Sequence, residues 1–352
     1  MQIKRIALGG IIMTVIMFSG CSTTVQNLAI GEEKTLETGK TEQESVTEKD
    51  INMNEKESFN AESNINDVIH DSAFDDYGRL IFPVDMEIED NLKLKDVSSI
   101  LPWYSEVNTD KTVEIVNYMK NQAMNGEQIF YPIYSEEEMQ ADADKKDTGL
   151  FFFRGNAGSK TAIINAGGGF VYVAGIHDSF PHALELSKKG YNAFALIYRP
   201  GAQTACEDLA RAIAFLHENA EQLQIDMTDY SLWGGSAGAR MAVWLGSYGT
   251  AYFGEKEYPA PAAVIMQYTG LSQVTGMEPP TYACVGTSDG IASYRSMENY
   301  ISQIQQNGSN TKIEVFKGLS HGFGLGEGTV AEGWIDRAIS FWEDNMNALD
   351  KR

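Results

Sequence analysis

The sequence predicts an α/β fold, a mainly parallel central sheet flanked by helices on both faces, with no large inserted cap domain. Apolar runs suited to buried strands alternate with helical patterns over most of the chain. The run Asn192–Tyr198 is apolar almost throughout, as a strand covered on both faces must be. Loops rich in glycine or chemistry-bearing residues each follow a strand, at the edge where an open parallel sheet gathers ligands. About 270 residues, from Asp76 to Arg352, suit a single domain of this kind.

The first such loop follows the strand Ile163-Ile164-Asn165 and reads Ala166-Gly167-Gly168-Gly169-Phe170. Glycines let backbone N–H groups approach a ligand with no Cβ in the way. Such donors can hold the oxyanion of a tetrahedral intermediate, each worth ~3–4 kcal/mol of barrier. A phosphate cradle would need a following Lys-Ser/Thr or a G-x-G-x-x-G spacing with an acid, and neither is present. A helix over Phe180–Lys189, stopped by Gly190, and a second over Glu207–Asn219 flank the Asn192–Tyr198 strand.

The strand Tyr230-Ser231-Leu232-Trp233 runs into Gly234-Gly235-Ser236-Ala237-Gly238, a G-x-S-x-G element that opens a helix. On so sharp a turn the serine backbone is strained, and only small neighbours leave room for it. The Ser236 hydroxyl is thereby exposed, with the Ala237 N–H at the positive end of the helix. A strand over Ala262–Tyr268 is separated by the 12 residues Thr269–Pro280 from the strand Thr281–Gly286, too few for a lid domain. Asp289 follows the latter strand, and after a helix over Tyr294–Gln306 the strand Lys312–Phe316 leads to Gly318-Leu319-Ser320-His321-Gly322-Phe323-Gly324. A last helix spans Ala331–Asn345. Cover for the site must come from the N-terminal side, where Val97–Met124 is a candidate partial lid or else a surface-packed extension.

A serine nucleophile needs a base, and the base needs an acid to fix its tautomer. Ser236, Asp289 and His321 occur in that order, each just beyond a strand. Of the five histidines, His70 lies in a polar tail, His217 in a helical pattern, and His177 and His182 beside a helix start, where capping or surface roles are expected. His321 alone sits in a glycine-rich loop after a strand.

These motifs together resemble the α/β-hydrolases from about Gln128 to Ala348. The likeness is to the esterase branch that includes enzymes like hormone-sensitive lipase, acetyl esterases, and acetyl-xylan or feruloyl esterases. It is carried by Ala166–Phe170, Tyr198-Arg199-Pro200, Gly234–Gly238, Pro279-Pro280-Thr281 with Asp289, and Ser320–Phe323. The resemblance implies Ser236 as nucleophile, His321 as base and Asp289 as its orienting acid. It also implies an oxyanion hole from the N–H groups of Gly168, Gly169 and Ala237, with no cofactor or metal. Two positions depart from the pattern: Ala166 stands where a histidine is usual, and Gly235 where an acid often precedes the serine.

At the N-terminus, Lys4 and Arg5 precede a 13-residue apolar run, Ile6–Phe18, and then Ser19-Gly20-Cys21. This is the pattern of a secretory signal, too short for a comfortable membrane span. Ser19-Gly20-Cys21 resembles a bacterial lipobox, which implies a signal peptide over 1–20 and a lipid on Cys21 that anchors the protein outside the cytoplasm. Residues 22–76 carry 14 Asp/Glu against 4 Lys, so residues 21–76 are expected to form a disordered tether roughly 40 Å long. An N-terminal extension over 77–126 and a catalytic domain over 127–352 follow. The net charge of −22 argues against nucleic acid as a partner. Cys206 and Cys284 are expected to be buried free thiols.

The sequence therefore predicts an exported serine esterase acting on small acyl esters, with acyl groups on glycans among the candidate substrates. The alternatives are a peptidase of the same fold, or a binding lipoprotein that has kept the fold without turnover.

Overall fold

The computed structural model describes residues 58–346. The expected signal peptide, Cys21 and most of the expected tether lie outside these residues. The core is an eight-stranded sheet in the order β1-β2-β4-β3-β5-β6-β7-β8. Its strands are β1 (Phe130–Pro132), β2 (Gly149–Phe153), β3 (Lys160–Asn165), β4 (Asn192–Ile197), β5 (Asp226–Gly235), β6 (Ala263–Gln267), β7 (Thr281–Gly286) and β8 (Thr311–Phe316). β1 pairs with β2, and β2 with β4, antiparallel; every other pairing is parallel. Every residue of β2, β4, β6 and β7 is buried, which is why these strands read as unbroken apolar runs rather than alternating ones.

The longer helices are α1 (Thr109–Met124), α2 (Phe180–Lys188), α3 (Ala202–Glu218), α4 (Ala237–Tyr248), α5 (Tyr294–Gln306) and α6 (Trp334–Asn345). Their apolar stripes press Leu209, Ile213 and Leu216 of α3, Met241 and Leu245 of α4, and Trp334 and Trp342 of α6 into the core. Cys206 and Cys284 are buried free thiols. Arg199, in the connection after β4, grips the fully buried Asp208 of α3 through Nη2 at 2.7 Å, and its backbone N–H donates to the same carboxylate at 2.7 Å. That bidentate pair fixes the turn from β4 into α3.

One boundary is corrected. The tether was expected to run unstructured to Asp76, yet residues 58–76 are folded. A short helix spans Ile65–Ile69 and a 3-10 segment spans Ser72–Ile81, with Ile65, Val68 and Phe74 fully buried. Two of the acids here are tied into the fold. Asp71 caps the 3-10 segment at the Ala73 N–H and pairs with Lys120 at 2.8 Å, and Glu62 holds Lys93 and Lys95 at 2.6 and 2.7 Å. Averaged composition concealed the spacing of a few anchors. A second correction concerns the histidines. His177 and His182 are buried, not capping or surface residues, and His70 is a helix C-cap residue whose Nδ1 approaches the Asn66 carbonyl at 2.8 Å.

Candidate active site

The loops after β3, β5, β7 and β8 converge at the C-terminal edge of the parallel strands, as an open sheet of this kind requires. Ser236 sits between β5 and α4 at φ 50°, ψ −114°, a conformation that L side chains rarely adopt. A Cβ on Gly234 would strike the Gly238 backbone, and one on Gly238 would strike the Asn165 and Ala166 backbone, so the turn tolerates only glycine on both sides.

The structure brings Ser236, Asp289 and His321 together. Asp289 Oδ2 lies 2.8 Å from His321 Nδ1, and His321 Nε2 lies 3.1 Å from Ser236 Oγ. A carboxylate only accepts, so Nδ1 carries the proton and Nε2 is left to accept from the serine hydroxyl. Asp289 is itself held: its Oδ1 accepts the N–H groups of Ile291 (2.8 Å) and Ala292 (2.7 Å). The Tyr268 ring packs edge-on against the His321 ring at 5.0 Å.

The glycine loop approaches from the other side. Gly168 and Gly169 have φ of 126° and 65°, and a Cβ on Gly168 would collide with the Tyr172 carbonyl. Among the described residues, no acceptor takes the N–H of Gly168, Gly169 or Ala237. With Ser236, Gly169 and Ala237 line a cleft of about 260 Å³, whose walls also include Phe170, Arg240, Tyr268 and Ile291.

Sequence reasoning missed what holds this loop. Asp178 is buried directly beneath it. Its Oδ2 accepts the Gly167 N–H at 2.7 Å and the Tyr104 hydroxyl at 3.0 Å, and its Oδ1 accepts the Tyr268 hydroxyl. Burial holds the Asp178 carboxyl above its ordinary range, and these donors only partly offset it. Burial also lifts both tyrosines well above their ordinary range, so both keep the proton they donate. A Cβ on Gly235 would fall on the Asp178 carboxylate. The missing side chain at position 235 is thus the room that Asp178 fills. At the other departure, Ala166 is fully buried and its carbonyl accepts the Tyr198 hydroxyl at 2.7 Å. The only sequence signals were these two departures, and neither names the residue that compensates.

The segment Pro102–Ser105 braces both loops. Tyr172 donates to the Pro102 carbonyl at 2.6 Å, and Trp103 stacks on Tyr172 with ring centroids 5.8 Å apart. Ser105 donates through Oγ (2.8 Å) and N–H (3.2 Å) to the His321 carbonyl. His177, kept neutral by burial, meets the Gly322 carbonyl through Nε2 at 3.0 Å. The extension is therefore packed into the walls of the site rather than lying apart from it.

Fold and site geometry together define the α/β-hydrolase fold. Residues 154–276 match the family model BD-FAE, a stretch that contains the glycine loop and Ser236 and stops short of Asp289 and His321. Among solved structures, the fold is similar to apo Thermogutta terrifontis esterase 2 (17% identity, 61% of this chain and 93% of that one, TM-score 0.52). It is also similar to an acetyl ester-xyloside bifunctional hydrolase from Caldicellulosiruptor lactoaceticus (19% identity, 61% and 95%, TM-score 0.54). No curated protein sequence matches the chain.

Proposed function

We propose that the protein is a serine carboxylic-ester hydrolase working through an acyl-enzyme. The observation that supports it best is the hydrogen-bonded series Asp289–His321–Ser236 facing three N–H groups without an acceptor. Ser236 Oγ attacks the ester carbonyl as His321 Nε2 takes its proton. The N–H groups of Gly168, Gly169 and Ala237 hold the oxyanion. The tetrahedral intermediate collapses, the C–O bond breaks, and His321 returns the proton to the departing alcohol. Water activated by the same imidazole then releases the acid. Asp289 holds the imidazole in the reactive tautomer throughout.

The cleft suits small acyl groups, and glycan-borne acetyl groups are the natural first class to assay beside simple esters. A serine-directed phosphonate should label Ser236, and Ser236→Ala should abolish both labelling and turnover of 4-nitrophenyl acetate. Wild-type rates in Ser236→Ala would end this reading. Export and anchoring through a lipid on Cys21 form the accompanying proposal, supported by the pattern Lys4-Arg5, Ile6–Phe18 and Ser19-Gly20-Cys21. Mass spectrometry of the mature protein tests it, since an unmodified Cys21 in a membrane-free product contradicts it.

A further inference from the structure

Arg240 stands in the first turn of α4, four residues beyond Ser236, and both residues line the same cleft. It borders the Ser236 cleft and also an adjoining cleft of about 280 Å³ that includes Trp244, Tyr248, Gln273 and Glu278. The guanidinium thus stands where the two clefts meet. One of its N–H groups, on Nη2, donates to the Gly270 carbonyl at 2.8 Å. Among the described residues, no carboxylate lies within ion-pair distance of Arg240. Of the other described arginines, Arg79, Arg154, Arg199, Arg211 and Arg337 each pair with one, and Arg295 instead lies over the Tyr294 ring. The chain carries 49 acidic against 27 basic residues, so a cation left unpaired has not lacked for partners. Glu278, the carboxylate of the adjoining cleft, accepts instead from the N–H groups of Thr275 and Gly276. No Arg240 nitrogen is buried without a partner, so its remaining N–H groups are open to solvent, and the residue lines both clefts.

We propose that Arg240 recognises a carboxylate carried by the substrate, so that the preferred ester is a monoanion. The proposal rests on the hydrolase reading of Ser236 and deepens it. The planar fork of a guanidinium matches a carboxylate with two parallel hydrogen bonds, which a neutral group cannot reproduce. A single cation in a chain of net charge −22 balances one substrate charge, and each additional charge would meet repulsion.

The experiment compares matched esters. On the acyl side, 4-nitrophenyl hydrogen succinate is set against 4-nitrophenyl pentanoate. On the alcohol side, 4-acetoxybenzoate is set against 4-methylphenyl acetate. The wild type should favour the anionic member of one pair by about 10- to 100-fold in kcat/KM, carried mainly by KM. Arg240→Gln should collapse that ratio by the same factor, and Arg240→Lys should restore part of it. Because each ratio is taken within one variant, loss of folded protein cancels. The pair that responds identifies the side of the ester bearing the charge. A ratio unchanged by Arg240→Gln in both pairs, or a wild type that disfavours both anions, overturns the proposal. A wild type that turns over none of the esters instead defeats the hydrolase reading itself.

Discussion

The two sides of Ser236 are built by different means. On one side, Asp289 and His321 present their own side chains, displayed at the ends of β7 and β8 and tied by bonds of 2.8 and 3.1 Å. On the other, the glycine loop offers only backbone N–H groups. Its position depends on a buried carboxylate bonded to tyrosines 74 and 90 residues away. Where function resides in a side chain, its removal erases chemistry and spares the fold. Where function resides in the backbone, the side chains that hold it carry stability as well, and the two are lost together.

The sharpest contrast should come from Ser236. Ser236→Ala is expected to lower kcat by about 10³-fold or more with no loss of thermal stability. Ser236→Gly should be as inactive yet more stable by about 1 kcal/mol, since glycine accepts φ 50° without strain. A Ser236 variant that melts well below the wild type would break the comparison.

Asp289→Asn should follow, with kcat down about 10²- to 10⁴-fold because the imidazole loses the partner that fixes its tautomer. Its stability should change little, since an amide oxygen can still accept from Ile291 and Ala292. Calorimetry beside steady-state kinetics reads both quantities.

Across the serine, Asp178→Asn should lower kcat by about 10- to 100-fold with KM nearly unchanged, because the loop's donors lose their aim. It should also cost about 1–3 kcal/mol, as an amide nitrogen cannot accept from the groups that Asp178 Oδ2 or Oδ1 now satisfies. A fall in kcat with full stability would place Asp178 with the chemical side instead. Gly235→Ala, whose methyl would displace that carboxylate, should destabilise by about 1–3 kcal/mol and slow turnover in parallel. Tyr104→Phe removes one donor of three and should be the mildest, near 1 kcal/mol and a few-fold in kcat.

The same division explains what the sequence reveals. Ser236, Asp289 and His321 are legible because the proposed chemistry demands those residue types and the sheet demands those places. β3 to β7 are legible because burial on both faces forces apolar runs between turns, and the half-buried edge strand β8 is legible by its alternation Lys312-Ile313-Glu314-Val315. β1 and β2 are not. Gly149–Phe153 is an apolar run too short to distinguish strand from helix by period, and β1 ends in proline at the sheet edge. Asp178 is opaque for another reason. It lies beside a predicted helix start, where an aspartate ordinarily caps, and its partners Tyr104 and Tyr268 meet it only through the tertiary fold. The anchors Ile65, Val68 and Phe74 are hidden in the same way, by the acids around them.

The tie from Ser105 to the His321 carbonyl joins residues 216 positions apart. Contacts so distant in sequence form late, because a long loop must close before any bond rewards the closure. A ribosome delivers the bracing segment early, then the nucleophile turn, and only near the end the imidazole that the brace receives. A nascent chain therefore displays Ser236 with no base beside it. On the proposed reading, hydrolytic competence arrives last, with β8 and the loop that follows, long after Ser236 has emerged.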